Sequence, residues 1–281
     1  MRYKNHHMKS ATLSQVATYR RRVRASPSRI WENVLDWEHL PWLHRSTFCD
    51  VELIEARRDG WRASAGLQPA AGGHRIGIET RLEQRENRYL TLTTDGPGAG
   101  TEIWTRLESA GEGSTDIEVR FLVPGVRPGR TSGVGDAYVS LYTRLWDEDE
   151  AMMVRRAEML ARATSHRMRS TTAVGSATMD LGSVDSLRPR LPLPLELGGR
   201  RYRLIDLDGE MVAYSTTCPH LLGPLEDAVT SPDGCVRCPW HGYRFDLRTG
   251  NGIDRPDLHL DPPPDVCVDP RTLRVTVTAR S

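Results

Sequence analysis

The chain has 281 residues, enough for two domains of ordinary size. Its net charge of +1, with lysine and arginine scattered, offers no concentrated basic face and sets nucleic-acid binding aside. No window approaches the roughly 20 apolar residues of a membrane span, and the opening MRYKNHHMKS lacks the apolar core of a secretory signal, so a cytoplasmic protein is expected. Five cysteines, an odd number, argue against a disulfide framework and turn attention to metal ligation.

Residues 1–13 read as a polar tail carrying His6 and His7. From Ser14 to about Val123 the pattern is short strands with turn punctuation, such as HRIGIETRLEQ and RYLTLTT about a turn at Glu86-Asn87, then TEIWTRLES and TDIEVRFLV about AGEG. A short helix interrupts them at SPSRIWENVLDWEHL, with Ser26 as its N-cap and Pro27 at its first position. PGVRPGRTSGVG follows as a loop, and DAYVSLYTRLWDEDEAMMVRRAEMLARA as a long amphipathic helix. The predicted fold class is α+β: an antiparallel sheet gripping one long C-terminal helix over 14–165, then a small all-β module. The Ser-, Thr- and Gly-rich stretch 166–191 reads as a linker. In the module, 192–281, RYRLIDLDGEMVAYST predicts a hairpin about Asp208-Gly209, and DPRTLRVTVTAR a last strand.

Two constellations carry chemistry. In the C-terminal module Cys218 and His220 stand one residue apart, Cys238 and His241 two apart, with seventeen residues between His220 and Cys238. Two thiolates can hold one iron of a 2Fe-2S cluster while two imidazoles hold the other. A zinc site uses the same residue types, but zinc fingers pair cysteine with cysteine and histidine with histidine, whereas each loop here has one of each. Cys235, Cys49 and Cys267 stand apart and read as buried small residues. In the N-terminal domain DWEHLPWLH puts Asp36, His39 and His44 together. At about 100° per residue, Asp149 falls mid-stripe on the long helix with Tyr138, Tyr142, Leu145 and Met153, while Asp147 points away. A carboxylate facing a core is costly unless paired or metal-bound. Arg156 on the same stripe is the organic alternative, in which case Asp36, His39 and His44 are a polar helix end.

The cysteine–histidine loops, with a proline after each ligand cysteine and a glycine after His241, resemble the Rieske ferredoxin family from about Pro192 onward. No extra cysteine stands near Gly223 or at Trp240, as in the variety found in oxygenases and soluble ferredoxins. Asp36, His39 and His44, followed far later by Glu148-Asp149, are similar to the catalytic domain of the Rieske non-haem iron oxygenases, a START-like helix-grip fold. That resemblance implies mononuclear Fe(II) held by His39, His44 and Asp149. It also implies that Asp36 bridges His39 and the cluster ligand His241 for electron transfer. Here the Rieske domain comes last, reversing the family's usual order, and a homotrimer is favoured by resemblance alone. The implied function is hydroxylation, dealkylation or desaturation of an apolar small molecule with O2. The sequence has no glycine-rich nucleotide fingerprint after a strand, so a separate NAD(P)H-dependent reductase, with or without a ferredoxin, is the expected partner. Tyr142, Met153 and Trp104 are candidates for the cavity wall. Two other readings stay open: an electron carrier fused to a ligand-binding helix-grip domain, and a cyclase or aromatase working without iron.

Overall fold

The computed structural model describes residues 12–127, 129–169 and 177–280, so nearly all of the polar tail, including His6 and His7, lies outside the described residues. The chain divides into two compact units, Met1–Met153 and Val154–Ser281. No helix among the described residues is long and apolar enough to cross a membrane.

The first unit runs β1 (Leu13–Val23), α1 (Pro27–Leu35), α2 (Leu40–Leu43), β2 (Phe48–Arg57), β3 (Gly60–Leu67), β4 (Arg75–Glu83), β5 (Arg88–Asp95), β6 (Glu102–Ser109), β7 (Thr115–Pro124) and the first part of α3 (Thr131–Arg169). Strands β2 to β7 form an antiparallel meander, and β1 closes on β7, giving the order β1-β7-β6-β5-β4-β3-β2. This is the expected sheet and long helix. Period-two alternation aims Ile103, Thr105 and Leu107 of β6 and Ile117, Val119 and Phe121 of β7 into the core. The stripe of α3 meets them: Phe121 stacks on Tyr138 with centroids 5.2 Å apart and takes the edge of Tyr142 at 4.8 Å. Full burial of a side chain such as Phe121 contributes roughly 1.5–3 kcal/mol.

Helix α3 begins at Thr131, five residues before the expected start, and takes in Gly133 and Gly135, which read as loop. The reason is close packing. A Cβ on Gly135 would fall 2.4 Å from the Val16 carbonyl oxygen, so only glycine lets the helix cross β1 here.

The second unit contains β8 (Thr178–Ser183), α4 (Val184–Leu187), β9 (Leu193–Leu197), β10 (Arg200–Leu207), β11 (Glu210–Ser215), β12 (Cys235–Arg237), β13 (Arg244–Asp246), β14 (Asp265–Val268) and β15 (Arg274–Thr278). Two three-stranded sheets, β11-β10-β9 and β14-β15-β8, share a core that includes Leu187, Leu204, Val275 and Val277. The β10–β11 hairpin turns at Asp208 (φ 54°) and Gly209 (φ 88°), as the Asp-Gly signal requires.

The expected linker over 166–191 is corrected. Residues 170–176 lie outside the described residues, but β8 pairs with β15 and α4 follows at once. Met179 and Leu181 alternate along β8 and pack on the module's core, a signal hidden among serines, threonines and glycines. Cys235 is buried as expected, but Cys49 and Cys267 are exposed, because each sits on the outward phase of its strand.

Candidate functional site

Helix α1 starts on Ser26, whose hydroxyl accepts from the Arg29 N–H, and ends where the Asp36 N–H meets the Asn33 carbonyl. The four-residue α2 follows, with Pro41 in its first turn. His39 and His44 flank it on either side, and the short helix brings their imidazoles edge to face, with centroids 5.0 Å apart. Both are buried, at 4% and 2% exposure.

Asp149 reaches them from α3. His44 Nε2 lies 3.1 Å from Asp149 Oδ1 and His39 Nε2 lies 3.5 Å from the same oxygen. The three donor atoms lie within 4.8 Å of one another. Each imidazole turns its other nitrogen to a different carboxylate: His44 Nδ1 is 2.6 Å from Glu148 Oε2, and His39 Nδ1 is 3.6 Å from Asp36 Oδ2. Asn33 Nδ2 donates to Asp149 Oδ1 at 3.1 Å. Asp147 points outward to Arg21, as the helical period predicts. Asp149 is partnered by His39, His44 and Asn33.

The electrostatics follow from this packing. Burial opposes protonation of His44, but Asp149 and Glu148 outweigh it and raise its pKa to about 9. Burial likewise opposes ionisation of Asp149, yet the charge and hydrogen bond of His44, with His39 and Asn33, hold its carboxyl below the usual range. Two imidazole nitrogens and one carboxylate oxygen from different elements, with carboxylates behind the histidines, form a donor set that suits a mononuclear metal such as Fe(II). Glu148 and Asn33 are the members whose contacts the sequence did not announce. Asn33 had one readable signal: it falls three residues after Ile30 on the buried face of α1.

A cavity of about 130 Å³ opens against the histidines and Asp149. Tyr142 lines it, as expected. Met153 is instead part of the core, and Trp104 sits on the opposite face of the sheet. Its neighbours Ile103 and Thr105 take the inward phase of β6, so Trp104 points away, under the Arg88 guanidinium at 4.7 Å and donating to Glu102 at 2.9 Å.

In the second unit Cys218 and His220 lie on the loop after β11, and Cys238 and His241 on the turn joining β12 to β13. The two loops share one backbone pattern. The N–H four residues after each cysteine bonds back to its carbonyl, from Leu222 at 3.0 Å and Gly242 at 2.9 Å, and both residues have positive φ. Each cysteine N–H in turn bonds to the carbonyl five residues on, Gly223 or Tyr243, at 2.9 Å. Both thiols are buried, and the imidazoles of His220 and His241 meet at right angles with centroids 4.5 Å apart. The thiols are polarised against each other. Hydrogen bonding from Cys218 outweighs burial and, with His241 and the Trp240 and His241 N–H groups, holds the Cys238 thiol below its usual value. The same contact with Cys238, with burial, pushes Cys218 upward. A paired, N–H-lined thiol site beside two imidazoles fits the two-thiolate, two-imidazole ligation of a 2Fe-2S cluster. None of the five cysteines is in a disulfide.

Residues 177–264 match the family described as Rieske [2Fe-2S] domain. This region is a Rieske domain. It therefore begins about fifteen residues before the boundary predicted at 192, where β8 enters its sheet. The domain implies a 2Fe-2S cluster and electron-transfer partners. The chain is similar to apoptosis-inducing factor 3 of Mus musculus, 44% identical over 64 residues, covering 23% of this chain and 10% of that protein. It is also similar to the chloroplastic pheophorbide a oxygenase of Oryza sativa subsp. japonica, 37% identical over 65 residues and covering 22% and 12%. The ferredoxin component of the p-cumate 2,3-dioxygenase system of Pseudomonas putida is 33% identical over 88 residues, covering 30% and 66%. The chain thus spans about a tenth of the length of the first two relatives. Among solved structures, it resembles norcoclaurine synthase from Thalictrum flavum at 16% identity, covering 52% of this chain and 88% of that one with a TM-score of 0.42.

Proposed function

We propose that the protein is the oxygenase component of a Rieske-type system, acting on an apolar small molecule by hydroxylation, dealkylation or desaturation. The observation that carries this reading is the approach of His39 Nε2 and His44 Nε2 to one oxygen of Asp149, at 3.5 and 3.1 Å, beside a cavity. In this reading these three residues hold mononuclear Fe(II), which when bound supplies the activation of O2. Glu148 orients His44 through its Nδ1, and Asn33 fixes the rotation of the Asp149 carboxylate. The apolar walls bring substrate to the centre and keep bulk water from it. Asp36 orients His39 and, by the family resemblance, serves as the relay for electrons arriving through the Rieske domain. A separate NAD(P)H-dependent reductase, directly or through a ferredoxin, supplies those electrons. The relatives named as an oxygenase and as a dioxygenase-system ferredoxin support the assignment at the level of the Rieske domain.

The test is iron and acid-labile sulfide per chain on anaerobically purified protein, with Asp149→Ala alongside. The proposal expects three irons and two sulfides, falling to two and two in the variant. Two and two in both proteins after Fe(II) is added would leave an electron carrier fused to a ligand-binding domain.

A further inference from the structure

The cavity is specific about what it can hold. At about 130 Å³ it is close to the apolar cavity of about 150 Å³ that takes benzene, so it has room for one six-membered ring, with a small substituent reaching toward its open side. Trp61 and Trp146, 7% and 3% exposed and fixed in the packing, close its inner side, so a second fused ring would leave the walled space through the mouth. Trp61 is further tied down by its Nε1, which donates to the Val34 carbonyl at 2.8 Å.

Charge narrows the choice again. Among the described residues no lysine or arginine lines the cavity, while Asp36 and Asp149 do. A carboxylate or phosphate on the ligand would be buried beside these carboxylates with only the His39 and His44 imidazoles, already engaged by Asp36, Glu148 and Asp149, to answer it, which is costly.

One wall carries a pair of hydroxyls. Thr80 on β4 stands directly across from Thr91 on β5, and both line the cavity. Thr80 is only 3% exposed, and its side chain and that of Thr91 are among the few hydroxyls on the cavity wall. A hydroxyl so buried makes a bond where one is offered, and the cavity is where an oxygen can be offered.

We infer that the cavity takes a neutral, single-ring compound bearing one hydroxyl or carbonyl oxygen. Thr80 with Thr91 holds that oxygen, and the ring lies against Trp61 and Tyr142. The inference rests on reading the His39, His44 and Asp149 centre as the place where substrate reacts, and it names the class of that substrate.

The test is calorimetric titration of the full-length, anaerobically prepared protein at pH 7 with p-cresol, toluene, 2-naphthol and 4-methylbenzoate. The expected order is p-cresol tightest, toluene weaker, and 2-naphthol and 4-methylbenzoate at least tenfold weaker than p-cresol. Thr80→Val keeps the side chain's shape and removes the hydroxyl, so p-cresol should weaken about tenfold while toluene binds as before. Thermal melting of the variant verifies that it is folded. Tight 2-naphthol or 4-methylbenzoate binding, a folded Thr80→Val protein that binds p-cresol unchanged, or no binding of any probe would each overturn the inference. Binding is read without turnover. A chain with only cluster iron that still selects p-cresol would therefore sink the oxygenase reading and leave the pocket assignment intact.

Discussion

Asn33 and Asp149 are 116 residues apart in sequence, yet the Asn33 amide donates a 3.1 Å hydrogen bond to the carboxylate oxygen that His39 and His44 both approach. That bond holds the shared oxygen from a third side, on α1. Asn33→Ala should therefore weaken Fe(II) binding roughly 10–100-fold, in the range for residues that orient a metal ligand. Fe(II) titration should reveal the loss, with the visible absorbance of the 2Fe-2S cluster unchanged. Parental affinity in the variant would remove Asn33 from the site.

His44 holds a proton in the metal-free protein up to about pH 9, and a metal must displace that proton to use the nitrogen. Asp149, held below the usual carboxyl range, stays ionised across the same interval. Apparent metal affinity should rise about tenfold per pH unit between roughly pH 7 and 9, then level off. Glu148→Gln removes one of the charges that raise His44, so the levelling should move to lower pH. A pH-independent affinity would show that His44 does not exchange a proton for metal.

Stability has a separate acid-sensitive device. Glu150 is buried on α3 and accepts from Arg21 and from the backbone and side chain of Arg24 on or beside β1. Burial alone would raise its pKa, but the arginines lower it below the usual range. A lowered folded pKa contributes stability above the unfolded value near about 4.3, lost as pH falls through the folded one. Melting temperature should fall in that acid window, and Glu150→Gln should be less stable at pH 7 with a shallower acid dependence. An unaltered melting profile would assign the acid sensitivity elsewhere.

Gly223 predicts a defect confined to the cluster. Its φ is ordinary, but a Cβ there would lie 2.9 Å from Cys238 Sγ and 3.1 Å from the Trp240 ring. Gly223→Ala should therefore reduce 2Fe-2S occupancy, read as visible absorbance and sulfide per chain, while the first unit keeps its Fe(II) binding. Cys238→Ser should abolish the cluster. Full cluster occupancy in Gly223→Ala would mean that the loop gives way easily.

Much of this protein is local and so was legible in its sequence. The cysteine–histidine loops are short turns, with one residue separating the ligands of the first and two those of the second. Ser26-Pro27 announces a helix start, Asp208-Gly209 a hairpin, and period-two or period-3.6 apolar patterns the faces of strands and of α3. Even the stripe that carries Asp149 inward could be read by counting around the helix. Tertiary structure decided what depends on neighbours distant in sequence. Trp104 and Tyr142 look equally fit to line a cavity until the sheet's faces are known. Gly135 looks like loop until β1 passes beneath it, and Thr178–Ser183 like linker until β15 offers an edge. The contacts of Asn33 and Glu148 belong to the same class. A hydrogen bond across 104 or 116 residues leaves no periodic mark, because the packing of α1, α2 and α3 places its two ends together.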